Sequence, residues 1–523
     1  MSTYDAVIIG SGFGGTMAAH TLVHAGLRVL MLERGAWVRR GPHNWTGDEA
    51  GMLGEHYATE SPYLVYDERG GSTVGAFSCV GGPSVFYGGV ALRFRSEDFE
   101  SNPDLDGNSG AAWPYSYEDL EPYYTAAERI IGVAGESGQD PTEPSRSAPY
   151  LEPAAPLAAT SERIARAARD LGFHPFRLPL AINYGAAKQR NRCVACGTCD
   201  GFACAISAKN DLATSVLPDL VERGLELRTQ QVAIRIMAER GRVTGIVCAD
   251  GRTGERTIYR GERVVLAAGA LGSPHLILAS RLQRSNPGGH VVGRYLMRHL
   301  NRIAFGVFSR EPAADGGIQK QIGIHDLYFG DAASKSLRGK LGGIQQVGTP
   351  PAALVRQQLA GPLGEVGARL VGHLVGLLTI AEDQPQFDNR VVLDRQTDRF
   401  GVPRLVISHR YTKRDIAASR LLMQSARAVL RRAGAWACYQ HQVRTFSHAV
   451  GTVRMGRDPR TSALDEFGRF RGIDNLFVLD GSFMPRSGGV NPSLTIAANA
   501  LRAAAFLVRS TPRQRVRHAY IAR

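Results

Sequence analysis

The stretch YDAVIIGSGFGG, residues 4–15, decides the fold. A short apolar run, Tyr4-Asp5-Ala6-Val7-Ile8-Ile9, ends in Gly10, and Ser11-Gly12-Phe13-Gly14-Gly15 follows. Residues 16–26 repeat with helical spacing, and residues 28–33 form a second apolar run that ends in an acid, Glu33. The order is strand, glycine turn, helix, strand. Gly10 permits the tight turn, Gly12 lets the backbone approach a pyrophosphate, and Gly15 lets the helix pack closely on the strand. A pyrophosphate would lie at the positive end of the helix, where unpartnered N–H groups point at it. Glu33, eighteen residues after Gly15, can accept hydrogen bonds from a ribose diol, and its charge would repel the 2′-phosphate of NADP. G-x-G-x-x-G alone also occurs in turns that bind nothing. The flanking elements and the placed acid argue for a dinucleotide site.

The chain around this turn has 523 residues, 44% of them hydrophobic and 21% charged. That is ordinary for a soluble globular protein, and long enough for two or more domains or one large α/β fold with insertions. Residues 362–381, PLGEVGARLVGHLVGLLTIA, come nearest to a membrane span, but Glu365, Arg369 and His373 interrupt them. An amphipathic or buried helix is expected there, and no integral membrane segment. No basic segment, apolar core and cleavage site open the chain, so a cytoplasmic protein with reduced thiols is expected. Net charge is +14, and the last fifteen residues, from Arg509, carry five Arg. With no nucleic-acid-binding motif in the chain, this reads as a solvated basic surface rather than a nucleic-acid site. No internal repeat is present.

Four of the seven cysteines fall in CVACGTCDGFAC, residues 193–204: Cys193, Cys196, Cys199 and Cys204. Their spacing approaches the bacterial ferredoxin run but has one residue more and lacks its proline. Structural zinc prefers two separated pairs. The readings that stay open are an iron–sulfur centre, another metal, and a loop of free thiols or a local disulfide. The thiol loop is preferred, and a disulfide would be unusual in the cytoplasm.

Near the other end lie Ser447-His448-Ala449-Val450-Gly451-Thr452, then Leu476-Phe477-Val478-Leu479-Asp480-Gly481-Ser482, then Gly489-Val490-Asn491-Pro492-Ser493-Leu494-Thr495-Ile496-Ala497. With these the chain resembles the glucose–methanol–choline (GMC) family of FAD-dependent oxidoreductases, in that family's order and over its whole length. GGPSVFYGG, residues 81–89, resembles the family's glycine loop near the flavin. VVLAAGA, residues 264–270, with Gly272-Ser273-Pro274 resembles its second flavin-facing strand and turn. VGRYLMRH, residues 292–299, resembles its passage into the substrate domain. The resemblance implies an α/β protein with a Rossmann-like FAD-binding domain and an interleaved α+β substrate domain on a mostly antiparallel sheet. It places FAD-binding segments at 1–100, 200–293 and 446–510, substrate-binding and lid segments at 101–199 and 294–445, and a basic tail at 511–523. Residues 387–394 and 405–409 alternate as strands of the substrate sheet would.

Carried onto this chain, the resemblance puts Gly10, Gly12, Phe13, Gly14, Gly15, Glu33, Arg34, Gly82, Ser84, Tyr87, Gly88, Gly89, Val232, Ala268, Gly269, Asp480, Gly481, Asn491, Pro492 and Thr495 at the FAD. His448 matches the first active-site position and Asn491 the second, which is His or Asn. A histidine suits removal of a hydroxyl proton because its pKa lies near neutrality. Asparagine cannot titrate, so Asn491 would orient the substrate oxygen; it could also cap the following helix. Residues 81–89 hold no histidine, so non-covalent FAD is expected, with Cys79 the remaining attachment point. The implied reaction is oxidation of an alcohol CH–OH group to a carbonyl. Electrons would pass to oxygen or to another acceptor, or in a dehydrogenase through the cysteine loop to a partner. A lyase or decarboxylase on the same fold is the reading from another class, which a His–Asn pair fits less well. Trp113-Pro114-Tyr115 and Leu120-Glu121-Pro122-Tyr123-Tyr124 also occur in relatives that oxidise sugars or aminosugars. A cyclic polyol is therefore the expected substrate, with another bulky cyclic alcohol behind it.

Overall fold

The computed structural model of the protein describes residues 4–45, 56, 63–67, 70–196, 199–310, 320–330, 337, 340–359 and 361–510. The basic tail, 511–523, lies outside them.

The opening stretch folds as its pattern demands. Tyr4–Ile9 is a strand buried along its last four residues, Phe13–His24 is the helix, and Val29–Leu32 is a fully buried strand. They enter a five-stranded sheet in the order Leu476–Val478, Gly261–Leu266, Tyr4–Ile9, Val29–Leu32, Glu226–Arg228, and every pairing is parallel. Parallel strands are covered on both faces, which is why these runs are apolar throughout rather than alternating. The C-terminal helix, Ser493–Arg509, packs beside Phe13–His24 and Tyr117–Ile131. Half of its buried residues are alanine, which lets the helices approach closely. Ser116 starts the helix Tyr117–Ile131 through a reciprocal capping box with Asp119, and Gly132 ends it at φ +79°.

A second sheet has six strands, all antiparallel, in the order Ala437–Gln442, Leu300–Val307, Leu374–Ala381, Gly342–Val347, Ile322–Ile324, Phe176–Arg177. The helix Lys413–Arg432 lies across it and buries Leu422, Met423, Ala426, Val429 and Leu430 in a separate core. This is the mostly antiparallel sheet the sequence implies.

Two expectations need correction. Residues 362–381 are not one helix: Pro362–Leu370 is helical, and Leu374–Ala381 is a central strand of the six-stranded sheet. A strand paired on both edges and buried on both faces reads as an unbroken apolar run, which periodicity cannot separate from a buried helix. Among the described residues no helix is long and apolar enough to cross a membrane. The strands expected at 387–394 and 405–409 exist as Arg390–Thr397 and Pro403–Ser408, but they pair with each other and continue, through Pro403–Ser408, onto Tyr63–Asp67 and then Gly70–Val74 in a four-stranded sheet of their own. Val65, Val391, Leu405 and Ile407 form its core against Leu271 and Leu296. Alternation reports a half-buried strand but not which strand lies next to it.

Candidate active site

The glycines of the opening turn differ in what surrounds them. Gly10 has φ +100°, and a Cβ there would strike the carbonyl of Ala267. A Cβ on Gly14 would strike the Leu479 carbonyl, and one on Gly15 the Gly10 carbonyl. These are packing glycines. A Cβ on Gly12 would meet nothing within 4 Å, so its face is open. The helix that follows has no side-chain cap, and its first N–H groups have no partner within the helix. Gly82, at φ +56°, closes the opposite side, where its Cβ would come 3.3 Å from the Gly12 Cα.

Glu33 is 5% exposed. Its Oε2 accepts the Ser11 N–H at 3.0 Å and the Ser11 hydroxyl at 2.6 Å, and Oε1 accepts the Gly35 N–H at 2.9 Å. Burial raises its carboxyl above the ordinary range while these bonds oppose the rise. Oε1, which accepts a single bond, keeps a lone pair for a diol. Ser11 Oγ also accepts the Gly81 N–H at 2.9 Å, which ties the first turn to the glycine loop; the sequence reading gave Ser11 no part. An open glycine face, an uncapped helix start and a buried acid at the strand end fit the pyrophosphate and ribose of FAD.

The remaining cofactor candidates divide. Phe13 meets Tyr87 edge-on with ring centres 5.6 Å apart, and Tyr87 donates to the Asn210 carbonyl at 2.9 Å. Gly89 has φ +79° and Gly269 has φ +83°, the latter facing open space. Ala268 donates its N–H to Ser273 Oγ at 3.1 Å. Asp480 accepts from Gly269 N–H at 3.0 Å, Ser482 N–H at 2.9 Å and the hydroxyls of Ser482 and Ser273. Its carboxylate therefore joins the Gly481 turn to the helix Gly269–Ala279 and is engaged within the chain. Ser84 is likewise engaged within the chain, with the Gly81 carbonyl at 2.7 Å and the Leu212 N–H at 3.1 Å. The hydroxyl of the fully buried Thr495 bonds Tyr124 at 2.7 Å. Arg34 is exposed, and Val232 lies on the strand Gln231–Glu239.

Asn491 does not cap the C-terminal helix. Pro492 holds the cap position with no side-chain bond. The Asn491 amide instead places Nδ2 3.3 Å from His448 Nε2, and its Oδ1 accepts from Gln345 Nε2 at 2.7 Å. On the other side of the ring, His448 Nδ1 lies 3.0 Å from His299 Nδ1, and Asn301 Nδ2 is 3.5 Å away. The two matched active-site residues thus meet, 43 positions apart in the C-terminal part of the chain. His448 is held well below the ordinary histidine pKa of 6.5, first by burial, then by His299 and Lys320, with Asp383 acting the other way. It is a neutral ring with a free base nitrogen at pH 7.

Lys320 forms an ion pair with Asp200, whose other oxygen accepts the Gly348 N–H at 3.3 Å. A Cβ on Gly88 would strike both partners, so the pair lies directly against the glycine loop. His299 and Asp200 fell inside quoted motifs without being assigned a role, and Gln345 and Lys320 carried no local signal.

The cysteine loop is held by a lysine. Lys209, 1% exposed, donates to the carbonyls of Tyr87 at 2.8 Å, Cys199 at 2.9 Å and Phe202 at 2.7 Å. Cys193, Cys199 and Cys204 are free thiols. Burial pushes the Cys193 thiol up and the Cys199 thiol up to about 12. Residues 197 and 198 lie outside the described residues. Among the described residues no three His, Cys, Asp or Glu gather as a metal would need.

GMC oxidoreductase family models match residues 4–301 and 385–500. The chain is 32% identical to 6'''-hydroxyparomomycin C oxidase of Streptomyces lividus, covering 98% of this chain and 93% of that protein. It is 34% identical to paromamine 6'-oxidase of Streptomyces fradiae, covering 96% and 90%. Pyridoxine 4-oxidase from Mesorbium loti has a similar fold, with a TM-score of 0.68 at 19% identity over 98% of this chain and all of that one. Matched over its dinucleotide turn and its His448–Asn491 end alike, the chain belongs to the GMC oxidoreductase family and is an FAD-dependent oxidoreductase acting on CH–OH donors.

Proposed function

We propose that this enzyme oxidises one hydroxyl of a sugar-like cyclic polyol to a carbonyl, with His448 as the base. The observation that carries this reading is the neutral His448 Nε2 beside the Asn491 amide, at 3.3 Å. A substrate hydroxyl between them gives its proton to Nε2 while Asn491 Nδ2 donates to the oxygen and holds it in place. Bound FAD supplies the hydride acceptor. Two relatives are named as oxidases of 6'''-hydroxyparomomycin C and of paromamine, hydroxyl-rich cyclic compounds, which supports the polyol class. The test is mass analysis of a panel of sugars, cyclitols and sterols after aerobic incubation. A polyol product lighter by two hydrogens supports the reading; oxidation of sterols alone overturns the substrate class. Peroxide formed alongside marks oxygen as acceptor, and turnover only with an added dye marks a different one.

The proton step sets a pH dependence. His448 works as the neutral ring, and burial keeps it neutral well below 6.5. The rate of flavin reduction is therefore flat through neutrality and falls only in acid, as pH drops through the depressed value. A rate that halves near the unperturbed histidine value would contradict the burial argument.

FAD is held without a covalent bond in this proposal. Residues 81–89 contain no histidine, and Cys79 is fully buried, with burial pushing its thiol far above the ordinary range and its Sγ 3.5 Å from the Gly82 carbonyl. Acid precipitation should leave all the yellow colour in the supernatant; colour retained on the washed pellet would show a covalent bond.

A further inference from the structure

His448 has two working faces, and its neighbours decide which nitrogen carries the proton. A neutral imidazole has one N–H donor and one lone pair. His299 Nε2 lies 2.8 Å from the Gly488 carbonyl and 3.1 Å from the Ser487 carbonyl. Carbonyls only accept, so His299 carries its proton on Nε2 and, when neutral, a lone pair on Nδ1. That lone pair, 3.0 Å from His448 Nδ1, calls for an N–H on His448 Nδ1. Asn491 imposes the same choice from the opposite end. Its Oδ1 accepts from Gln345, so its Nδ2 points a donor at His448 Nε2, which must then hold the lone pair. Turning the Asn301 amide over would bring its unpartnered Oδ1 toward the same His448 Nδ1–H, in agreement with both.

We infer that His299 is a positioning residue that fixes His448 as the Nδ1–H tautomer, aiming the Nε2 lone pair at the substrate hydroxyl and bracing the imidazolium that follows. This rests on His448 being the base proposed above. In the step, the substrate O–H bond breaks and an Nε2–H bond forms. The carbinol hydrogen leaves with its electron pair to the flavin, and the C=O bond closes. The cationic ring keeps donating Nδ1–H to His299. A misplaced proton on His448 would present a donor where a base is needed.

The backbone shows that this placement is enforced. His299 has φ +61°, a left-handed conformation uncommon outside glycine. Asp383 holds it: Oδ1 accepts the His299 N–H at 3.1 Å and Oδ2 the Arg298 N–H at 2.9 Å. Tyr411 donates to the His299 carbonyl at 2.8 Å. Strain kept in place by several bonds is characteristic of functional sites. The charged and titratable groups facing the histidine pair are Asp383, with His409 3.4 Å from its Oδ2, together with Lys320 and Arg298. Burial pushes the Asp383 carboxyl up, yet the hydrogen bond and charge of His409 and the Arg298 N–H hold it below the ordinary range. It is therefore an anion that favours a proton on His448.

Two variants and one spectrum test this. His299→Asn keeps an acceptor near the Nδ1 position and suits the left-handed backbone; His299→Leu removes the acceptor. In ¹⁵N-histidine NMR of the holoenzyme, with His448 assigned by its loss in His448→Ala, wild type and His299→Asn should show Nδ1–H. His299→Leu should shift toward Nε2–H and reduce flavin about 10–100-fold more slowly, the range typical of lost orienting partners, while His299→Asn recovers most of the rate. An Nε2–H tautomer in wild type overturns the inference, as does equal slowing of both variants with the tautomer unchanged. If His299→Leu does not fold, the wild-type spectrum and the Asn variant still decide. If His448→Ala reduces flavin normally, the base assignment has failed instead, and the tautomer measurement reports that separately.

Discussion

His448→Ala will bind FAD and reduce it about 10²–10⁴-fold more slowly than wild type, the usual contribution of a positioned base. Truncation removes the imidazole nitrogen beside the Asn491 Nδ2. The neighbours are poorly placed to replace it: Lys320 is engaged by Asp200, and the His299 Nδ1 lone pair lies behind the His448 ring, against its Nδ1 rather than beside Asn491. Water can enter the vacated space, which is why a residual rate persists. The variant should also lose the acid limb of the wild-type pH profile. Rapid mixing without oxygen, following the visible flavin band, measures both. A near-normal rate would remove His448 from the chemistry.

Gly12→Asp and Gly15→Val will fail in different ways. A Cβ on Gly12 meets no chain atom within 4 Å, so the aspartate variant should fold with near wild-type apoprotein melting. Its carboxylate would stand in the space at the start of the helix Phe13–His24, where the cofactor's pyrophosphate is expected, and two anions cannot share that positive end. FAD content should fall below detection after gel filtration. Gly15 is the opposite case, because a Cβ there strikes the Gly10 carbonyl and crowds Ile8 at 3.2 Å. Backbone cannot yield as a side-chain tip can, so Gly15→Val should be insoluble or strongly destabilised, with or without added FAD. Normal FAD content in Gly12→Asp would show that the cofactor lies elsewhere.

The opening turn was legible because each glycine there answers a short-range demand, and strand, turn and helix are consecutive in the chain. The all-antiparallel second sheet was legible only through the resemblance, since its strands lie between residues 176 and 442 and no local pattern states which pair. Residues 374–381 were misread as helix because a strand buried on both faces loses its alternation. At the site, His448 and Asn491 sit in short motifs, whereas His299 and Gln345 act only through partners at least 146 positions away. In the cysteine loop the spacing left a metal, an iron–sulfur centre and a thiol loop open, with the thiol loop preferred, and it gave no sign of Lys209, whose Nζ reaches three backbone carbonyls. Spacing reports proximity along the chain, and only the fold reports whether thiols converge.

The most direct test of the whole account is anaerobic titration of the purified yellow enzyme with cyclic polyols, scored by bleaching of oxidised flavin. The account predicts full bleaching by at least one polyol, at one equivalent of carbonyl product per flavin, with bleaching slowed in His448→Ala. Flavin that stays oxidised under every sugar, cyclitol and sterol offered would contradict it.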